Sequence, residues 1–407
     1  MNPDNENTTN TLPAILIGAP RNSGKSILTY NLSQALRQFQ PPDDIPHYVF
    51  RANTDGEGDW LFEASPEEVR QLRIKGEWTD EFRELVRRDI ARRLVPIIVD
   101  IGGLPGEKDH GIFSACTHSI LLIKDDAKDT IQTWRNFITA HGLTPLAEIR
   151  SQLSGPSVIT SQENDPVITG SITFGQERQE RIYGIAFDAL VKCVTALFRS
   201  YPPDELERLH RKTEPEGFEI VRLHQHLNEL LPTAREWSTN LLEPLCSKLS
   251  PQAQLAVYGR GPVWLYGALA LYSKNEPFRQ FDPRYGWIEP PHIRSGSPVA
   301  GSETVVTLEP RPSGSKYMIL VRPKIPEHYY LDYERDAGQL VFPDPPSECG
   351  IIVSGRLPLW LFTALARFYA QKNAPWIALH DASMNRAIVV YSRVAGYTIG
   401  KRVPLPG

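Results

Sequence analysis

The residues best suited to chemistry are Gly24-Lys25-Ser26, which end a loop rich in glycine, proline and serine. Successive backbone N–H groups of such a loop, with the N-terminus of the next helix, bind anionic phosphates. Lys25 would neutralise the β- and γ-phosphates of ATP, and Ser26 would hold Mg²⁺ or, as an alternative, Mn²⁺. The motif's first glycine is replaced by Ala19, with Gly18 before it. The predicted nucleotide contacts are Pro20, Arg21, Asn22, Ser23, Gly24, Lys25, Ser26 and Ile27.

A second candidate metal ligand is Asp100, which ends the apolar run 94–99 and precedes Ile-Gly-Gly. A carboxylate at the end of a strand, downstream of a phosphate loop, is typical of a residue that orders the water shell of Mg²⁺. The acidic, glycine-rich loop 53–59 has two interpretations. It is a solvated turn, or it is a mobile loop that places Asp55, Glu57 or Asp59 near the transferred phosphate, with Asp55 as the expected catalytic residue.

The elements around these residues predict a doubly wound α/β domain over residues 1–205. A buried strand at 12–17 leads into the loop, and a helix with one apolar face follows it. Further strands are expected at 48–52 and 118–124, and helices at 129–141 and 182–198. Strands that alternate with helices indicate a mostly parallel sheet with right-handed crossovers.

Composition limits the possible partners and compartment. The 407 residues exceed what one core usually serves, and the formal net charge of −4 supplies no basic field for a DNA duplex. The four cysteines show no metal-binding spacing, which fits a reducing cytoplasm. Neither a signal peptide nor an apolar run of membrane-spanning length is evident, so we expect a cytoplasmic chain without a membrane partner.

Residues 213–407 contain an internal repeat. Segments 259–270 (GRGPVWLYGALA) and 355–366 (GRLPLWLFTALA) are identical at eight of twelve positions. Each segment follows an apolar strand and is itself expected to form a helix. We predict one copy over residues 213–300 and another over 301–407. The copies would form a pseudo-twofold pair able to hold a ligand between them.

Both halves resemble known families. The loop Ala19–Ser26 and the Asp100 segment are similar to the MinD, ParA and BioD-like group of P-loop NTPases, which implies an ATPase, a ligase or a small kinase. The Gly-Arg-x-Pro-x-Trp-Leu segments and the Asp282-Pro-Arg284 turn resemble the Csx-three family of CRISPR-associated proteins. That resemblance implies ferredoxin-like α+β repeats that bind and cleave cyclic oligoadenylate, the messenger of type III systems, as metal-stimulated ring nucleases.

Carried over residue by residue, the resemblance assigns site residues in the repeats. Arg260, Arg356 and His292 are the expected ligand contacts, and the expected catalytic residues are Asp282, Arg284, Asp381 and His380. Ala382 and Ser383 replace the Pro-Arg of the turn in the second copy. The family's principal histidine, after the helix, is absent from both copies. His380, beside Asp381, is the candidate replacement as general acid or base; its alternative is a strand-end histidine packed against the sheet.

Three functions follow from these expectations. In the first, the repeats cleave cyclic oligoadenylate, and the P-loop domain is an ATPase or phosphorylates the 5′-OH of the linear product, with Lys25 and Asp55 as catalytic residues. In the second, the repeats only sense the messenger and regulate the ATPase. A third is a partition-type ATPase with an unrelated scaffold. The partners would be cyclic oligoadenylate or short RNA, and we expect a homo-oligomer.

Overall fold

The computed structural model describes residues 12–38, 45–52, 78–102, 104–175, 180–251, 253–273, 276–297, 305–313, 316–324 and 331–405. They divide into two compact units. The first contains residues 1–53, 78–212 and 283–285, and the second contains the rest of the chain, which includes both copies of the repeat apart from residues 283–285. The side chains of residues 305–317 and 324 are outside the description.

The first unit is built on a mostly parallel sheet with the order β2-β3-β1-β4-β5-β7-β6, in which only β6 is antiparallel to its neighbour. Its strands β1–β7 are Ala14–Gly18, Tyr48–Ala52, Ile97–Ile101, His118–Ile123, Thr144–Gln152, Val158–Ile159 and Ile168–Thr173. Its helices α1–α6 are Lys25–Leu36, Asp80–Ala91, His110–Ala115, Lys128–Ala140, Ile185–Arg199 and Pro203–Arg211. The strands and helices that the sequence predicted are therefore present within a few residues.

The helices cover both faces of this sheet. Leu28 and Leu32 of α1 pack with Leu190 of α5 over Ile15 and Ile17 of β1. On the opposite face, Trp134 of α4 contacts Phe113 of α3. This doubly wound arrangement leaves the carboxyl ends of β1 and β3 side by side, with the connections that follow them on opposite faces.

The second unit contains two main sheets with the orders β11-β10-β9-β8 and β13-β14-β16-β17-β18-β19, and the pair β12-β15. Its strands β8–β19 are Glu219–Arg222, Leu255–Tyr258, Phe278–Asp282, Gly286–Ile288, Arg294–Ser295, Val305–Ser313, Lys316–Lys324, Val341–Phe342, Gly350–Val353, Trp376–Asp381, Arg386–Ser392 and Arg402–Val403. Its helices α7–α11 are Leu223–Leu230, Leu242–Cys246, Val263–Tyr272, Tyr333–Asp336 and Leu359–Gln371.

The two copies share an order of strands and helices. In the first copy β8, β9 and β10 are parallel neighbours, α9 connects β9 to β10, and β11 returns antiparallel. In the second copy β14, β16 and β17 are parallel, α11 connects β16 to β17, and β18 returns antiparallel. Each copy is thus an adjacent βαβ unit. The ferredoxin-like order expected from the resemblance separates the two strands of such a unit, so the described strands differ from it.

Helices α9 and α11 pack against each other and run in the same direction. Trp264, at the start of α9, bonds Asp381 at the end of β17, whereas Arg367, late in α11, bonds the carbonyl of Ala270 near the end of α9. Because each helix is antiparallel to the strands it connects, the carboxyl ends of β9, β10, β16 and β17 lie at the same end of the unit. The Gly-Arg loops of both copies begin there.

Candidate functional sites

The phosphate-loop motif lies at the carboxyl end of β1, beside β3. Along the chain β1 continues to β2 on one side of the sheet, whereas β3 continues to β4 on the other side. A reversal of this kind opens a crevice between the two strand ends, and α/β sheets bind their ligands in such crevices. The loop therefore occupies the position in this unit that the fold itself favours for a ligand.

Lys25, Asp100 and Arg51 form a buried charge cluster at this edge. Asp100 is aligned with Ile17 of β1 and with Arg51 of β2, so all three face α1. Lys25 Nζ donates a hydrogen bond to Asp100 Oδ1, and Arg51 Nε lies 3.7 Å from Asp100 Oδ2. Arg51 was not identified from sequence, although one charged residue in the apolar run 48–52 was an available signal.

Electrostatics keep Asp100 ionised. Burial alone would raise the pKa of this carboxyl, but the charges of Lys25 and Arg51, with hydrogen bonds from Lys25 and Ser26, outweigh burial and lower it. The predicted metal ligands Ser26 and Asp100 are thus brought together. They supply a hydroxyl and a carboxylate, which are the oxygen donors that Mg²⁺ prefers.

The backbone of the loop has the shape of a cradle. Gly24 precedes α1 in the left-handed conformation, with φ of 74°, and a Cβ there would lie 2.9 Å from the Phe174 ring. Asn22 is also left-handed, with φ of 59°. The hydroxyl of Ser23 is buried and makes no hydrogen bond with the described residues. An unsatisfied buried hydroxyl beside a glycine-lined helix N-terminus fits a bound phosphate.

Packing explains why glycine occurs at position 18 of this motif. A Cβ on Gly18 would lie 2.6 Å from Trp134, whose side chain is fully buried. Ala19 faces the opposite way and is buried in the cluster that includes Leu28 of α1. Packing therefore requires glycine at position 18 and accommodates alanine at position 19. Asp55, the predicted catalytic acid, lies outside the described residues.

In the second unit, the two Gly-Arg loops start from the same end of the sheets. Gly259 and Gly355 adopt φ of 109° and 135°, a region open to glycine, and so turn the chain between strand and helix. Tyr266 of α9 supports the first loop by donating a hydrogen bond to the Gly259 carbonyl. Arg260 is exposed and Arg356 is partly buried. The predicted ligand arginines thus share one edge of this unit.

His380 and Asp381 do not form the acid–base pair considered above. Successive residues of a strand point to opposite faces. Asp381 faces the helices, where its Oδ2 accepts a hydrogen bond from Trp264 Nε1 at 2.9 Å. His380 faces away from them, and its Nδ1 lies 3.1 Å from Ser354 Oγ. Burial lowers the pKa of His380 to about 4, so the imidazole is neutral near pH 7 and ill suited to be a general acid.

The remaining predicted residues have different environments. Asp282 ends β10 on the helix-facing side, and its charge adds to the effect of burial in raising the pKa of Tyr266. Arg284 belongs to the first unit, where it is buried with Nη1 3.7 Å from Asp89 Oδ2. A buried ion pair differs from the ligand-facing role expected for Arg284. His292 is exposed in the loop after β11.

The buried imidazole makes the stability of the second unit sensitive to acid. Because the pKa of His380 is about 4 when folded and ordinarily about 6.5, the unfolded chain binds the proton first. The contribution of the neutral imidazole to the free energy of unfolding is complete above pH 6.5. It is lost as the pH falls towards 4, in total by about 3 kcal/mol. Hydrogen exchange of β17 peptides should show this fall. His380→Gln should reduce it and His292→Gln, at an exposed position, should not; an equal fall in all three chains would contradict the assignment.

Two further features bear on metals and membranes. Within the ranges that the structure describes, no three histidine, cysteine or acidic side chains gather as a metal site would require. The described helices include none with the length and apolar character needed to cross a bilayer.

Comparison with known proteins identifies part of the chain. A family model described as "CRISPR-associated protein (Cas_csx3)" matches residues 327–404, which include the helix and the strands β16–β19 of the second copy. No curated protein matches the chain. The matched residues belong to the second copy, whose order of strands and helices recurs in residues 213–300. Residues 327–404 are therefore a Csx3-like C-terminal region, similar to a family of CRISPR-associated proteins.

Proposed function

We propose that the first unit is an ATP-binding, Mg²⁺-dependent P-loop enzyme, acting either as an ATPase or as a kinase. The observation that carries this proposal is the buried cluster of Lys25, Asp100 and Arg51 beside the cradle at Gly24. The lysine and the arginine supply positive charge at the switch point, which is where α/β sheets of this kind bind their ligands. The arrangement resembles a phosphate site in which the carboxylate stands in for the anion.

The residues have distinct roles in this proposal. Residues 20–27 would surround the phosphates, with Lys25 moving from Asp100 to the β- and γ-phosphates. Ser26 and Asp100 would hold Mg²⁺, which supplies charge neutralisation on the phosphate oxygens when bound. Arg51 would keep Asp100 ionised and correctly oriented after Lys25 has moved. Asp55 remains the proposed residue that orients the acceptor.

Binding of Mg²⁺ and ATP tests this proposal on the full chain. Calorimetry should show saturable binding, and Lys25→Ala should weaken it at least about 100-fold, because it removes a charge-assisted phosphate contact. Lys128→Ala, an exposed lysine of the same unit, is the matched control and should bind normally. Equal binding by Lys25→Ala and the original chain would remove the basis for a P-loop enzyme.

For the second unit, we propose binding and cleavage of cyclic oligoadenylate. Two observations support it: the Csx3-like match over residues 327–404, and the shared edge of the two Gly-Arg loops. Cleavage requires a ribose 2′-OH in line with the adjacent phosphorus, while cationic side chains stabilise the developing charge. Arg260 and Arg356 are suitable for that charge. The product would be a linear oligoadenylate with a free 5′-OH, which the first unit would phosphorylate if it is a kinase.

The alternative is a sensor that binds the messenger without cleaving it and thereby regulates the ATPase. The environment of the predicted catalytic residues favours the sensor, because Asp381 accepts a hydrogen bond from Trp264 and His380 is buried. In this form Arg260 and Arg356 contribute binding alone. ATP hydrolysis would then change with messenger occupancy.

Incubation of labelled cyclic tetra- and hexa-adenylate with the full chain, with Mg²⁺ or Mn²⁺, separates the two functions. A ring nuclease converts substrate to linear product, and Arg260→Ala/Arg356→Ala should lose both conversion and binding. Arg402→Ala, an exposed arginine on β19, is the control. Binding of intact messenger with an altered ATPase rate would establish the sensor, and absence of binding would exclude both.

A further inference from the structure

The two copies meet through residues that occupy equivalent positions but differ in type. Gly267 in α9 corresponds to Thr363 in α11, at the same distance after the Gly-Arg segment. Gln280 in β10 corresponds to Leu379 in β17, each two residues before the terminal aspartate. All these positions are on the buried faces where each helix meets the sheet of the other copy. Their identities decide which side chains oppose each other.

In the first of these contacts, the side chain of Leu379 fills the space left by the missing side chain of Gly267. A Cβ on Gly267 would lie 2.3 Å from Leu379 Cδ1 and 3.7 Å from Val390 Cγ1. Leu379 is fully buried, so it has no free space into which it could move. The absence of a side chain at position 267 is what admits the leucine of the other copy.

The equivalent contact on the other side is polar. Thr363 Oγ1 donates a hydrogen bond to Gln280 Oε1 at 2.8 Å, and both side chains are at most 1% exposed. The Thr363 hydroxyl also lies 2.9 Å from the Trp360 carbonyl of its own helix, so it keeps an acceptor without Gln280. An amide buried at this depth costs about 1–3 kcal/mol if it loses its partner. The two sides of the pseudo-twofold interface are therefore satisfied by different chemistry.

A third contact shows the same divergence. Arg367 of α11 donates to the Ala270 carbonyl at 2.9 Å, to Ser273 Oγ at 3.1 Å and to the Glu276 carbonyl at 2.9 Å. The position equivalent to Arg367 in the first copy is Leu271, which has no donor. The arginine therefore caps the end of the partner helix in one direction only.

We propose that the copies have diverged into complementary halves, so that a first copy selects a second copy and rejects another first copy. Pairing of two first copies would place Gly267 against Gln280, with a gap and an amide without its hydroxyl. Pairing of two second copies would place Thr363 against Leu379, with a steric clash and a hydroxyl against a methyl group. Each mismatch would occur twice by symmetry. The partner of each half is thus the other half, and the paired loops belong to one permanently asymmetric edge.

Two double variants of the full chain that share one substitution test this selection. Gly267→Thr/Leu379→Gln recreates a threonine–glutamine pair on the other side of the interface. Gly267→Thr/Gln280→Leu imitates two second copies, because both threonines then oppose leucine. Gly267→Thr alone should lower the melting temperature of the second unit by about 5 °C. The matched double should recover at least half of that shift, and the self-like double should fall further.

Combining Gly267→Thr, Gln280→Leu, Thr363→Gly and Leu379→Gln exchanges the halves and should also recover stability relative to the self-like double. If Gly267→Thr prevents folding, two other doubles give the same comparison without overpacking. Thr363→Gly/Gln280→Leu is then the matched double, and Thr363→Gly/Leu379→Gln is the self-like double. Equal melting temperatures of matched and self-like doubles would overturn the proposal. The comparison uses no ligand and is independent of the proposed function.

Discussion

Asp100→Ala is expected to lower the free energy of unfolding of the first unit by about 3–5 kcal/mol, since it removes one member of a buried charge cluster. The substitution takes away the carboxylate to which both Lys25 and Arg51 are directed, so two cations are left close together in a low-dielectric environment. Urea unfolding, followed by hydrogen exchange of a peptide from β3, measures the loss.

Lys25→Met is the matched comparison, because Asp100 keeps Arg51 at 3.7 Å and the cluster keeps one opposite pair. Its loss of stability should be clearly smaller, although it should bind ATP far more weakly. ATP should also stabilise Asp100→Ala more than it stabilises Lys25→Met, since phosphates restore negative charge beside Lys25 and binding to the folded state alone raises stability. Equal losses from both substitutions would show that the cluster does not act as described.

The second large effect is expected at Trp264, the tryptophan that joins the two copies. Trp264→Ala should destabilise the second unit by about 3–5 kcal/mol, because the side chain is fully buried. Trp264→Phe keeps most of the ring but removes the N–H that bonds Asp381. The carboxylate then stays buried without that donor, and we expect a loss of about 1–3 kcal/mol for the hydrogen bond itself.

Trp360 provides the control at the equivalent position of the second copy. It is also buried, but its Nε1 makes no hydrogen bond within the described part of the chain. Trp360→Phe therefore removes a similar volume and no hydrogen bond, so it should cost less than Trp264→Phe. Hydrogen exchange of peptides from β10 and β17 reports both variants. Indistinguishable losses would mean that the bond to Asp381 contributes nothing, and would return Asp381 to the candidate catalytic residues.

These expectations separate structural from functional acidic residues. In the first unit, Asp100 is buried beside two cationic side chains that would also attract a phosphate. Its contribution to stability and its proposed role in holding Mg²⁺ therefore depend on the same charges. In the second unit, Asp381 is engaged by a tryptophan of the other copy. Asp282 of the first copy also ends its strand on the side that faces the helices. Trp360, which is equivalent to Trp264, does not donate a hydrogen bond to it.

The sequence alone determined the local elements and the repeat. The strand, loop and helix around Lys25 follow from an apolar run, turn-forming residues and a helical apolar face, all of which are short-range signals. The repeat was visible because eight of twelve positions are identical, and each copy contains a parallel strand pair, β9–β10 or β16–β17. Asp100 was identified because a carboxylate that ends an apolar run, downstream of a phosphate-loop motif, is typical of a residue that orders the water shell of Mg²⁺.

Only the tertiary structure decided which of these residues meet. Arg51 lies beside Asp100 because β2 and β3 are paired in a register that no local pattern specifies. The strand pleat separated His380 from Asp381, although they are adjacent in the chain. Trp264 engaged Asp381 because the two copies pack helix to helix, with 117 residues between them. Contacts of this range depend on packing in three dimensions, whereas sequence patterns report the preferences of neighbouring residues.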